Sequence, residues 1–197
     1  MQDTAAPQQV ATGVVAADAV HVPISHTGGL PGGTTHSATL DAFAMAFRQH
    51  VLASQALLNA ALPGMRGARY GHIINIISTS VKEPIAGLGV SNTVRAAVAA
   101  WAKTLAGELV VDGITVNSAL PGYTRTQRLD SLRAAQLKSG GRTAQDVAES
   151  FLASVPAKRF GAAAEVAAVA AFLCTPAAAY VNGVSISGDG GRSKTLS

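Results

Sequence analysis

Two runs of apolar residues constrain the fold of this chain most: HIINIIS at His72–Ser78 and GITVNSAL at Gly113–Leu120. Its four isoleucines make the first a largely apolar, β-branched run, as expected of a strand buried on both faces. The second reads the same way and ends at Pro121-Gly122. Between and around them, apolar residues recur at helical spacing. Leu40, Phe43, Phe47, Val51, Leu58 and Leu62 predict one helix, with Thr39 or Asp41 to cap its start and Pro63-Gly64 to stop its end. Val94, Val98, Trp101, Leu105 and Leu109 predict a second over Ser91–Val111, and a third spans Ala163–Cys174 ahead of Pro176. Upstream, Asp18–Ser25 reads as a short apolar strand whose Pro23 favours a sheet edge, followed by a glycine-rich turn, HTGGLPGG. Val184–Ile186 is a last short strand before Gly188-Asp189-Gly190-Gly191. Alternating strands and helices predict a parallel sheet with helices on both faces.

Composition narrows the function classes. With 48% hydrophobic and 13% charged residues the chain is no disordered linker. Aromatics are only 5%, so the core is built from small side chains that let helices approach a sheet closely. The mean hydropathy is +0.29, yet no stretch of about 18 apolar residues runs unbroken, so no membrane span is expected. Met1–Pro7 lacks the basic and apolar regions of a secretory signal. Cys174 is the only cysteine, which excludes an intrachain disulfide and a cysteine-based metal cluster and suits a cytoplasmic setting. Much of the net charge of +4 lies in one segment, where Arg125, Arg128, Arg133, Lys138 and Arg142 face Asp130 alone. No aromatic-interleaved basic run exists, so nucleic-acid binding is not expected.

The ordered pieces HTGG, INIIS, RAAVAAWAKTLAGEL, GITVNSALPGYTRT and YVNGVSISGDGG together resemble the short-chain dehydrogenase/reductase family over about Asp18–Gly191. The resemblance implies an α/β fold, a three-layer Rossmann-like parallel sheet that lacks the first strands of the usual seven. No TGxxxGxG turn, which would hold a cofactor pyrophosphate, precedes Asp18. The expected organisation is a poorly defined segment 1–18, one domain 19–191 with a substrate lid at about 124–160, and a tail 192–197.

The same resemblance implies NAD or NADP as cofactor and a carbonyl/alcohol pair as substrate. It carries the family's catalytic serine onto Ser78, and cofactor contacts onto Gly28, Gly29, Pro121, Gly122 and Thr126. Thirteen residues after Ser78 the family has Tyr-x-x-x-Lys, where this chain has Ser91 and Arg95. An aliphatic alcohol is far harder to ionise than a phenol, whose pKa is about 10. Ser91 can therefore hydrogen-bond a carbonyl but is poorly suited as general acid. Arg95 lies one turn later, placed either to fork onto a ribose diol or anion or to stand as a solvated helix arginine. His50 occupies the family's asparagine position and reads as a replacement proton carrier or as a satisfied helix histidine. Tyr123 is the tyrosine near enough to stand in as acid, or it packs. The basic lid suggests an anionic small-molecule substrate. Helices resembling the family's interfaces suggest a homo-oligomer, a dimer or tetramer. The competing reading is a non-catalytic module built from the same fold, acting as an oligomer subunit or binding protein.

Overall fold

The computed structural model describes residues 13, 19–138, 141 and 143–196. The segment read as 1–18 lies outside the described residues apart from Gly13, as does Arg142. Four parallel strands form one sheet in the order β1 (Ile24–Ser25), β2 (Gly71–Ile76), β3 (Ile114–Pro121) and β4 (Ser185–Gly188). Ile74 pairs with Ile24 and Asn117, and Ala119 pairs with Ile76 and Ile186, so the strand ends line up along one edge.

β1 is shorter than the sequence predicts, and proline is the reason. His72 and Ile74 donate their backbone N–H groups to His21 and Pro23, so the chain runs alongside β2 from His21 onward. The rung between them would need a donor at position 23, and proline has none. Only Ile24–Ser25 completes the ladder, at one edge of the described sheet.

On one face lie α1 (Leu40–Phe47), a π-helical turn (Arg48–Leu52), α2 (Ala53–Ala68) and α3 (Gly89–Leu109). On the other lies α6 (Ala163–Leu173). Alternate β2 residues sort between them. Ile73 joins Leu58, Met65, Leu105 and Val116, while Ile74 joins Ala170, Leu173 and Ala178. This is the three-layer arrangement expected of a doubly covered sheet. After β3 come α4 (Gln127–Lys138) and α5 (Ala144–Ala153), which share a smaller core of Leu129, Val147 and Phe151. No helix among the described residues is long and apolar enough to cross a membrane, and no cluster of side chains there could hold a metal ion.

The first long helix departs from expectation in two ways. Thr39 caps its start, accepting from Ala42 N–H at 3.1 Å, but Pro63-Gly64 does not stop it. The helix continues to Ala68 and ends where Arg69 turns left-handed at φ 50°. Pro63 removes a single backbone hydrogen bond, while Ala61 and Met65 on either side are fully buried and hold the helix to the sheet. The expected apolar stripe is also rotated. Leu40 is 88% exposed and Phe47 43% exposed, whereas Ala46, His50, Ser54, Leu58, Ala61 and Met65 face inward. The buried row repeats every three or four residues, as a helix requires. Two polar residues occupy it because each finds a partner: Ser54 Oγ donates to His50 O at 2.8 Å, and His50 Nδ1 meets Thr27 Oγ1.

Candidate functional site

The carboxyl ends of β1, β2 and β3 open into one cleft of about 570 Å³. Ligands in open α/β sheets sit at this edge, because the loops there alternate with helix starts. The loop after β1 brings Thr27, Gly28 and Gly29; the end of β2 brings Ser78 and Thr79; the first turns of α3 bring Ser91 and Arg95. The end of β3 brings Pro121, Gly122, Tyr123 and Thr126, and α4 brings Arg128 and Leu129. Of the catalytic and cofactor-contact residues carried over from the resemblance, His50 alone does not line this cleft.

Ser78 leaves the strand in extended geometry and starts a short 3-10 turn over Thr79–Val81. Its Oγ accepts from Ser80 N–H at 3.1 Å, which leaves its own proton free to donate. Ser91 is 6% exposed and sits in the first turn of α3. That turn is fixed by a close crossing. Gly33 O accepts from Gly89 N–H at 3.0 Å, and a Cβ on Gly89 would stand 2.5 Å from Thr35 N. Only glycine allows the loop to pass there.

Arg95 is not a solvated helix arginine. It is 8% exposed, and its guanidinium donates to Ile77 O at 2.9 Å and Gly28 O at 3.3 Å. It thus ties the loop after β1 to the end of β2. Burial, then the neighbouring Arg128 charge, lowers its pKa to about 10.

His50 is 1% exposed, and it reaches the cleft only through Thr27. Burial, then the Arg95 charge, lowers its pKa to about 4. It is therefore a neutral helix histidine near pH 7, with Nδ1 on Thr27 and Nε2 buried without a partner, and it has no proton to supply as an acid there. The Tyr123 ring packs edge-on against Phe151 at 4.7 Å. Thr126 Oγ1 donates to Thr124 O at 3.3 Å. Gly122 lies so close to the turn after β4 that a Cβ there would be 2.6 Å from Asp189 Cβ.

Two features of the site escape a reading of the sequence. Arg192, set aside there with the tail, lines the cleft and lies 5.1 Å from the Tyr123 ring centroid. Left-handed Gly190 and Gly191 turn the chain back, and Asp189 accepts from the N–H groups of Gly191 and Ser193. The Asp-Gly-Gly signal was visible; where it would aim the next side chain was not. In the basic segment, Arg128 lines the cleft whereas Arg125, Arg133 and Lys138 do not. Arg133 instead faces Asp130 at 4.0 Å.

Comparison with known proteins agrees with this architecture. A family model described as enoyl-(acyl carrier protein) reductase matches residues 2–193. The chain is 32% identical over 170 residues to the NADPH-dependent reductase BacG of Bacillus subtilis, covering 85% of this chain and 66% of that protein. It is 36% identical over 135 residues to the 3-oxoacyl-[acyl-carrier-protein] reductase FabG of Vibrio cholerae, covering 68% and 51%. The chain thus spans between half and two thirds of the length of these relatives. Among solved structures, YwfH, an NADPH-dependent reductase involved in bacilysin biosynthesis, superposes with a TM-score of 0.91 at 28% identity, over 98% of this chain and 75% of that one. L-sorbose reductase from Gluconobacter frateurii, complexed with NADPH and L-sorbose, superposes at 0.89, also at 28% identity, over 98% and 76%. With the order of its strands, the serine at the end of β2 and a family model spanning nearly its whole length, the chain belongs to the short-chain dehydrogenase/reductase family.

Proposed function

We propose that the chain is an NAD(P)-linked oxidoreductase of a carbonyl/alcohol pair that orients its substrate well and moves the proton slowly. The observation that carries this reading is the convergence of Ser78, Ser91 and Arg95 with Gly122 and Thr126 on one cleft. The printed activities of the similar proteins, NADPH-dependent reductases among them, support it.

The residues present fit the nicotinamide and ribose end of such a cofactor. Gly28 and Gly122 line the cleft with backbone, and Thr126 lines it beside them. Gly28, Gly29, Pro121, Gly122 and Thr126 would hold the group, which when bound supplies or takes the hydride. Ser78 donates a hydrogen bond from its free hydroxyl to the substrate oxygen, and Ser91 donates a second from the α3 side. Two donors aimed at that oxygen stabilise charge as it develops there. Neither hydroxyl gives up its proton as readily as a phenol. Arg95 holds the Gly28 loop against β2 and places positive charge beneath the oxygen. The proton then comes from water entering the open cleft, and the hydroxide left behind exchanges into bulk solvent.

Residues 19–191 act as one unit in the cytoplasm, with 124–160 as the lid. Exposed Leu40, Met45, Phe47 and Leu52 support association between copies. A monodisperse monomer in light scattering at micromolar concentration would contradict that association.

The test of function is cofactor oxidation with a panel of ketones. Slow turnover is expected from the native chain, none from Ser78→Ala, and faster turnover from the Ser91→Tyr/Arg95→Lys double variant. No turnover from either the native chain or the double variant would refute the reading.

A further inference from the structure

We infer that the cleft selects a substrate bearing an oxyanion, a carboxylate or phosphate, held between Arg128 and Arg192 with Arg95 beneath. This rests on the proposed function only in assigning the anion to the molecule whose carbonyl Ser78 and Ser91 hold.

The cleft contains three guanidinium groups and, among the described residues, no aspartate or glutamate in its lining. The nearby carboxylates are already engaged. Asp189 accepts from Gly191 and Ser193 N–H, Glu83 from Lys194 N–H at 2.7 Å, and Asp130 faces Arg133. Arg128 lies across Gly29, its Cδ 2.7 Å from where a Cβ would stand. It is half-buried and makes no hydrogen bond or ion pair among the described residues. Its charge is close enough to Arg95 to depress that group's proton affinity. Like charges in a partly buried cleft repel until an anion enters between them.

Arg192 is similarly under-used. Its Nε is buried without a partner, and its one described side-chain hydrogen bond is a long 3.4 Å contact to Thr79 Oγ1. The Tyr123 ring and the turn behind Asp189 hold it in place. Guanidinium groups held with unpaired donors match a carboxylate or phosphate, which they bind through paired charge-assisted hydrogen bonds. Much of the rest of the lining, including Ile76, Leu88, Leu129, Leu132 and Val166, is apolar, beside the hydroxyls of Thr27, Ser78, Thr79, Ser91, Thr124 and Thr126. The ligand therefore has an apolar body with one anionic group.

The test is calorimetric titration of the full chain with levulinate, its neutral methyl ester, inorganic phosphate and NADPH. Levulinate should bind about tenfold or more tightly than the ester, weaken as salt rises, and compete with phosphate. Arg128→Gln and Arg192→Gln should each cost levulinate about fivefold or more while leaving the ester and NADPH unchanged. Arg133→Gln, outside the cleft, should change nothing, and unchanged melting curves should verify that the variants fold. Equal binding of acid and ester would overturn the inference. So would variants that weaken NADPH and spare levulinate, since the anion recognised would then be the cofactor's own phosphate. A chain that binds levulinate in the expected pattern but not NADPH keeps the anion site and loses the proposed function. One that binds NADPH but neither anion keeps the function and loses the site.

Discussion

Acid should destabilise this fold through His50, and the size of the effect follows from its surroundings. The ring projects from the π-helical turn to the loop after β1, with Nδ1 on Thr27 and Nε2 buried without a partner. Its pKa falls from 6.5 to about 4, chiefly by burial and secondarily through Arg95. The folded state therefore binds this proton less readily than the unfolded state does. The stability is fully present above about pH 6.5 and is lost as pH falls towards 4. At full weight the shift is worth about 3 kcal/mol. Screening through the open cleft beside Thr27 reduces it to about 2 kcal/mol. Urea unfolding of the native chain and of His50→Gln at pH 7 and at pH 4 isolates this contribution. His72, whose pKa burial also lowers, is present in both proteins and cancels. The native chain should lose about 2 kcal/mol more than the variant between the two pH values. Identical losses would refute the assignment of a buried neutral ring.

Three other outcomes follow from the packing. Arg95→Met should cost about 2–4 kcal/mol in chemical denaturation, because the Ile77 and Gly28 carbonyls lose a charged donor. Gly122→Ala should displace the Asp189 turn and with it Arg192, costing about 1–3 kcal/mol of stability and weakening ligand binding in calorimetry. Thr143→Ala should lower stability by about 1 kcal/mol, since Thr143 and Asp146 form a reciprocal cap on α5.

Most of the fold was legible because it rests on short-range patterns. The β2 and β3 runs and the α3 stripe each bury what their spacing says they should, and Val94, Val98, Leu105 and Leu109 are all in the core. Errors arose where a local signal met a tertiary competitor. Pro63 reads as a stop, but the burial of Ala61 and Met65 outweighs one lost hydrogen bond. Leu40 and Phe47 read as core, yet they point outward because small Ala46 and Ser54 allow the closer approach. The site followed the same rule. Ser78, Ser91 and Arg95 came from the family resemblance, and the end of β2 and the first turns of α3 bring them to one cleft. Arg95's bond to the Gly28 carbonyl and Arg192's return over Tyr123 depend on contacts between residues 67 and 69 positions apart, which no spacing reveals.

The measurement that bears most directly on the central claim is calorimetric titration of NADPH and of NADH into the chain. If the cleft is a hydride-transfer site, at least one should bind saturably with a Kd of about 100 μM or tighter, roughly 5.5 kcal/mol, and Gly122→Ala should weaken it. Absence of binding heat for both cofactors, or affinity indifferent to Gly122→Ala, would contradict the account.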